Sequence, residues 1–517
     1  MNIEFYLLFL LSIFANFVFG FLLTRRVLYA LPVGLFFCAS LIAILTRIVP
    51  SLTLEIIAAL LIIGLLIFIY KKYYLDILKK YDKKFVSSFI ISFLIFLIFF
   101  IKFHYQFIVY QSHESFYFAP AIELYLAEYN GNIRGTTYFP SGLTGHPIFP
   151  SSLLSASTVF VNELNLVKVL EARYIIIVIF FSLIVSSFNY LKIGLLKTLI
   201  IFITSLYFYE NLISHSLMHS DVTGLFCFAF LLISLITNKN DDLIKISTYL
   251  SLFLLITKPG IIFIFLIFPL YFFLKYNYVR KDLVFYLISF IIFLNGLSWI
   301  ALEAPFGNSS ISLFNPFNLV DYFYTLTTAN WFNDSMFFSF VKNFFNLNVF
   351  IFPDEISNLN HFQKVEIIKL NLLKIIIDAM ELLFYFLIIF ILSFILIYKS
   401  ETTYQNKQLL SIFLLLSFLV FVFLRNENIF GNKTTEQVVH IFYFLSIIPL
   451  ILIPIFFSYK KNYKFLPLFI ILFTLNANFD LIYGKNEFQN RISSKEFIVY
   501  KNINFDSNQN KEKFYKL

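Results

Sequence analysis

Apolar runs of roughly 17–25 residues follow one another along the whole chain, separated by short polar, basic or Pro/Gly-containing connections. Each run is long enough for an α-helix to cross about 30 Å of hydrocarbon. Helices are predicted near 4–24, 29–49, 52–70, 85–103, 172–189, 193–209, 221–237, 282–301, 372–398, 408–424, 438–457 and 463–480. The segment LIKISTYLSLFLLITKPGIIFIFLIFPLYFFLKYNYVRK starts and ends with positive charge and breaks at Lys258-Pro259-Gly260. That pattern predicts a hairpin of two short helices whose tip approaches the outer side. The first run, FYLLFLLSIFANFVFGFLL, is followed by no small-residue cleavage site and reads as a retained helix. The fold class is therefore an all-α polytopic membrane protein of about 12–14 transmembrane helices.

Composition agrees with the pattern. Hydrophobic residues make up 60% of the 517 and charged ones 13%, and the mean hydropathy is +0.83. A soluble domain could not hide that much apolar surface. The net charge of +9 does not point to nucleic acid, because the cations sit in short clusters between apolar runs, as membrane orientation requires. Cys38 and Cys227 both lie inside apolar runs, which argues for packing and against a disulfide framework or a Cys-ligated metal.

The densest basic cluster, KKYYLDILKKYDKKF at 71–85, is cytoplasmic by the positive-inside rule and orients the rest by alternation. Three N-terminal helices and this basic linker occupy 1–84, with the N-terminus outside. A membrane core occupies 85–300 and carries a first exterior loop at 104–171. A second exterior loop at 301–371, C-terminal membrane helices at 372–480 and a polar exterior tail at 481–517 complete the chain. The connections placed inside hold about twenty Lys or Arg, and the exterior connection 210–220 holds none. All seven histidines, at 104, 113, 146, 215, 219, 361 and 440, fall on the exterior half, so any chemistry belongs to that face.

Four exterior segments carry candidate chemistry. In SHESFYFAPAIELYLAEYNG, Phe116, Ala119, Ile122, Tyr125 and Leu126 fall near helical spacing, which predicts an amphipathic helix lying on the membrane surface. Glu114, beside His113, then stands where an outward helix hands over to an interfacial one. It is either a half-desolvated carboxylate with the raised pKa of a general base, or an ordinary solvated carboxylate at a helix end. In SHSLMHSDVTG, Asp221 opens a membrane helix behind His215 and His219. It is either a helix-capping residue or a second carboxylate facing a cavity, and His-x3-His-x-Asp admits a divalent metal ion. Lys258 is a lone cation that either snorkels to the interface or binds phosphate. Arg425, Lys433, Glu436 and His440 cluster at a helix junction and either hold an anionic head group or form a solvated loop.

Together these segments resemble the GT-C superfamily of membrane glycosyltransferases, which includes protein mannosyltransferases and lipid A aminoarabinose transferases. The resemblance rests on HESFYFAPAIELYLAEYNG…TTYFP…HPIFPSSLLSA, HSDVTGLFCFAFLLISL, LLITKPGIIFIFLI and EQVVHIFYFLSIIPL, covering about 85–300 and more loosely 425–455. It departs from the family in two places. Glu114 stands where Asp is commoner, and Gln437 stands where an arginine contacts phosphate, shifting attention to Arg425 or Lys433.

The resemblance implies a GT-C-like bundle with exterior interfacial helices at the exterior (periplasmic) face of a bacterial inner membrane. It further implies a polyprenyl-phosphate-linked sugar as donor and an envelope lipid, glycan or protein as acceptor. Glu114 and Asp221 would be catalytic, and His113, His146, His215, His219, Lys258, Arg425, Lys433 and His440 would bind substrate. The competing expectations are a cell-envelope polysaccharide polymerase, a transporter, or a non-catalytic membrane assembly protein. A transporter would place its ionisable residues near the midplane, on broken helices of two related halves. No such repeat is visible in the sequence.

Overall fold

The structure, a computed structural model, describes residues 3–45, 49–79, 83–107, 149–188 apart from 163 and 165, 221–237, 241–255, 265–276, 390–400 and 402–423, with short pieces at 194–195, 199, 447–449 and 451–453. Every regular element among them is helical, with no strand. In chain order these are α1 (Ile3–Thr24), α2 (Val27–Leu45), α3 (Thr53–Tyr70), α4 (Tyr73–Lys79), α5 (Lys83–Phe107), α6 (Phe149–Ser157), α7 (Leu166–Ser187), α8 (Asp221–Ile236), α9 (Asp241–Leu254) and α10 (Ile267–Tyr276). They are followed by α11 (Phe390–Lys399) and α12 (Tyr404–Phe423). Among the described residues, α1, α2 and α3 are long and apolar enough to cross a membrane.

Helices are present where 4–24, 52–70, 85–103, 221–237 and 408–424 are expected to be helical, as α1, α3, α5, α8 and α12, to within a few residues. Two differences concern the stretch 104–171, expected as one long loop. The helix expected from 172 begins at Leu166, and Phe149–Ser157 forms a further helix. Sequence FPSSLLSAS is too short and too rich in serine to register as a span, yet Ser152, Leu153, Leu154, Ser155, Ala156 and Ser157 are all buried. The helix they form packs against α1, α2, α3 and α7. The expected helices at 282–301 and 463–480 and the tail 481–517 lie outside the described residues.

The bundle is built around α1 and α2, an antiparallel pair joined by Arg25 and Arg26. Their backbones touch. A methyl group added at Gly20 would collide with the Ala30 carbonyl oxygen and come within 2.7 Å of Gly34 N. One added at Gly34 would collide with the Asn16 carbonyl oxygen and come within 3.1 Å of Gly20 N. Only glycine fits at either place. Small residues that admit such an approach are the means by which helices associate in lipid, where burial of apolar surface supplies little drive.

Nearly all of α2 is buried, and phenylalanines link it to its neighbours. Phe36 touches Phe180 of α7 at 5.7 Å and Phe253 of α9 at 5.9 Å between ring centroids. Phe180 in turn meets Phe226 and Phe230 of α8 edge-on, at 5.0 and 5.6 Å. Such pairs contribute about 0.5–1.5 kcal/mol each beyond burial. Phe413 brings in α12 by packing on Phe228 at 5.0 Å and Phe268 at 5.1 Å. The outward faces of α1 and α3 are apolar. Leu7, Leu10, Leu11 and Phe14 of α1, and Ile62, Ile63 and Leu66 of α3, are exposed, as a lipid-facing surface would be.

Among the described residues, different polar contacts close the two ends of the bundle. At one end Arg25 stacks on Tyr73 and Arg26 pairs with Asp242. Tyr29 meets Thr237, and Asn406 donates to the Leu235 carbonyl, so the connections near 25, 71, 237 and 403 gather there. At the other end Asn162 donates to Glu4 at 2.8 Å and Tyr6 to Glu171 at 2.9 Å.

The backbone contact yields a sharp contrast between glycines. Gly20→Ala and Gly34→Ala are each expected to destabilise the purified protein by at least about 2–3 kcal/mol through overpacking. Gly64→Ala, whose new methyl would come closest to the movable Phe19 ring at 3.3 Å, with Leu22 at 3.8 Å, should stay within about 1 kcal/mol. Thermal unfolding in detergent measures all three, and equal effects would show that the approach of α1 to α2 is not limiting.

Candidate functional site

Polar groups inside a bundle of this kind are of two sorts, and separating them decides which residues are candidates. Most buried hydroxyls bond back to their own helix. Ser40 donates to the Phe36 carbonyl, Ser182 to Val178, Ser186 to Ser182 and Ser417 to Phe413, at 2.6–2.8 Å. Such hydroxyls satisfy themselves four residues back and carry no chemistry. Cys38 and Cys227 are buried and free, and the Cys227 thiol donates to the Leu250 carbonyl at 3.1 Å. Both cysteines therefore sit in packed interiors.

The other sort reaches between elements. Asn16, fully buried in the middle of α1, donates from one amide nitrogen to the Ser12 carbonyl and to the Ala156 carbonyl, each at 2.8 Å. Both partners are acceptors, so the orientation of the amide is determined. One turn away, Ser12 accepts the Phe160 backbone N–H at 3.1 Å. Together they dock the end of α6 and the turn after it at mid-height on α1. The backbone groups of residues 156 and 160, which leave the helix there, thereby find partners away from water. Sequence reasoning missed this site. Its signal was one asparagine inside an otherwise apolar run, FANFVFG.

Of the sequence-predicted site, the structure describes the backbone at Asp221. Helix α8 begins at that residue, where an acidic residue is favoured by the positive end of the helix dipole. The helix behind it is firmly held. Phe226 wedges against Phe180 and Phe181 of α7, each at 5.0 Å, and residues Cys227 to Leu232 are wholly buried. Further along, the Ser234 and Ser247 hydroxyls bond at 2.6 Å and fasten α8 to α9. Helices α9 and α10 pack against each other and flank the Lys258 break, in keeping with a hairpin. His113, Glu114, His146, His215, His219, Lys258, Arg425, Lys433 and His440 lie outside the described residues, as does the interfacial helix expected after Glu114. Among the described residues no group of three or more His, Cys, Asp or Glu comes together as a metal site.

The exterior half, as oriented from sequence, also holds the end where α1 meets 160–171. Here Glu4, Tyr6, Asn162 and Glu171 pair, and the Lys168 ammonium lies 5.9 Å from the Phe5 ring centroid. These contacts tie the start of α1 to the approach of α7. Comparison with protein-family models, curated proteins and solved structures returns no match.

Asn16→Ala removes the one side chain that bridges α1 to the Ala156 carbonyl. The expected cost is about 1 kcal/mol, the usual size for an interhelical hydrogen bond in a membrane protein. The informative readout is local: amide hydrogen exchange of 156–161 should accelerate while that of α8 and α9 stays unchanged. Uniform acceleration would mean that the asparagine supports the bundle as a whole.

Proposed function

We propose that this chain is a membrane glycosyltransferase of GT-C type, moving a sugar from a polyprenyl-phosphate-linked donor to an envelope acceptor on the exterior face. The observation that carries the reading is the ordered set of segments HESFYFAP, HSDVTG and ITKPG. Support comes from a helix beginning at Asp221, anchored a turn and a half later by Phe226, and from described residues whose regular elements are all helical, three of them long and apolar enough to cross a membrane.

In this reading the donor enters laterally from the bilayer and the acceptor hydroxyl approaches from the aqueous side. Glu114 takes the hydroxyl proton as the oxygen attacks the anomeric carbon. The bond from that carbon to the phosphate oxygen breaks, its electron pair leaves with the polyprenyl phosphate, and the anomeric configuration inverts. Lys258 and Arg425 offset the charge that builds on the leaving phosphate, with Lys433 and His440 beside them. Asp221 orients the acceptor or holds an ion, and His113, His146, His215 and His219 take part in substrate binding. A phosphate leaving group needs no protonated acid, which sets this scheme apart from the two-carboxylate hydrolases.

Glu114→Gln keeps the shape and removes the base. Sugar transfer from a radiolabelled polyprenyl-phosphate donor in isolated membranes should fall about 10²–10⁴-fold, with the protein present at its usual level. Lys258→Gln should lower the rate as well. Undiminished transfer by Glu114→Gln would remove that residue from the chemistry. A wild-type protein that instead moves an intact glycan across vesicles would favour the transporter.

A further inference from the structure

The basic end of the bundle has a construction that the transferase reading does not use. Helix α3 ends at Tyr70, and the chain turns through Lys71 and Lys72 into the short helix α4. Lys72 adopts a positive φ of 53°, and Arg25, in the turn between α1 and α2, adopts one of 55°. Non-glycine residues rarely sit there, and two of them at one end mark turns held by their surroundings.

What holds them is visible. Tyr73 and Ile77 pack one side of α4 onto Val18, Phe21, Ala30 and Phe68, at the foot of α1, α2 and α3. The Arg25 guanidinium lies 3.9 Å from the centroid of the Tyr73 ring and donates to its hydroxyl at 2.9 Å. Arg26 turns the other way, towards Asp242. A fixed platform results, with the cations of Arg25, Lys71 and Lys72 exposed on it and Lys83 and Lys84 exposed at the start of α5. Asp76 is the carboxylate that α4 contributes. Tyr70, the last residue of α3, is 80% exposed, and Tyr74, in α4, is 42% exposed.

We infer that this end is a binding surface for anionic phospholipid, with Arg25, Lys71 and Lys72 holding the headgroup phosphate and Tyr70 and Tyr74 seated at the hydrocarbon boundary. The occupant follows from position and charge. The surface continues directly from the lipid-facing sides of α1 and α3, so its neighbour is a headgroup layer. Tyrosine prefers that depth, and juxtamembrane lysine and arginine each add to the attraction for an anionic leaflet. An arginine already oriented by a ring and a hydroxyl loses little freedom when its other N–H groups meet phosphate.

Native mass spectrometry of the full-length protein in neutral detergent, titrated with phosphatidylglycerol or phosphatidylcholine, tests this. The wild type should retain phosphatidylglycerol preferentially. Lys71→Gln with Lys72→Gln, both at exposed positions, should weaken that binding on the order of tenfold, and adding Arg25→Gln should weaken it further, whereas adding Arg25→Lys instead, which keeps the charge but loses the ring-oriented guanidinium, should have a smaller effect than Arg25→Gln. Lys168→Gln, at the opposite end, should leave the preference intact. Equal retention of the two lipids by the wild type, an unchanged preference in the double variant, or an equal loss in Lys168→Gln would overturn the inference. So would displacement of the lipid by millimolar inorganic phosphate, which would make the surface a site for a free anion.

Discussion

The bundle depends on two helices lying backbone against backbone. At Gly20 and Gly34 no side chain separates α1 from α2, and the short distance between them determines what else can reach α2. Phe36, Cys38, Ala39 and Ile42 are wholly buried because α6, α7, α8 and α9 close over the remaining sides. In lipid such closure rests on dispersion and shape, since the hydrocarbon outside is as apolar as the core. Close-packed rings at Phe36, Phe180, Phe226, Phe228 and Phe413 supply it.

A second constraint, the cost of an unpaired backbone group away from water, explains where the helices stop. The N–H of Phe160 and the carbonyl of Ala156 lie where the chain has left α6 inside the bundle. Ser12 and Asn16 of α1 supply the missing partners. Irregular backbone at that depth is tolerated only where protein surrounds it, and here α1 and α2 do so. The back-bonding hydroxyls obey the same rule within single helices, so a serine in an apolar run is poor evidence of a site while a bridging asparagine marks a junction.

How much was legible follows from these two constraints. Helices such as Ile3–Thr24 and Thr53–Tyr70 are legible because a membrane demands a long apolar run, and composition alone reveals one. The segment Phe149–Ser157 is not, because its nine residues are stabilised by fitting against α2, a property of the partner and not of the segment. Likewise Gly20 and Gly34 lie too far apart in sequence, and in too ordinary a context, for their contact to be read without the fold. For the candidate site, the position of Asp221 at a helix start was legible from a charge meeting an apolar run. The docking role of Asn16 was not, since its partner is 140 residues away.

The polar contacts divide between the two ends of the bundle in a way that bears on where chemistry belongs. At the Arg25 end Arg25, Lys71 and Lys72 are exposed while Arg26 is paired with Asp242, and the turn residues are held by packing beneath them. Long-range association with an anionic layer needs a surface of that kind. At the Glu4 end the groups are paired, a carboxylate to an amide and a carboxylate to a phenol, and they join the start of α1 to the approach of α7. Paired groups give a scaffold its rigidity, and a transfer site needs that rigidity around it to hold reacting atoms in line. The exposed cations therefore suit contact with an anionic layer, and the paired groups make a rigid junction.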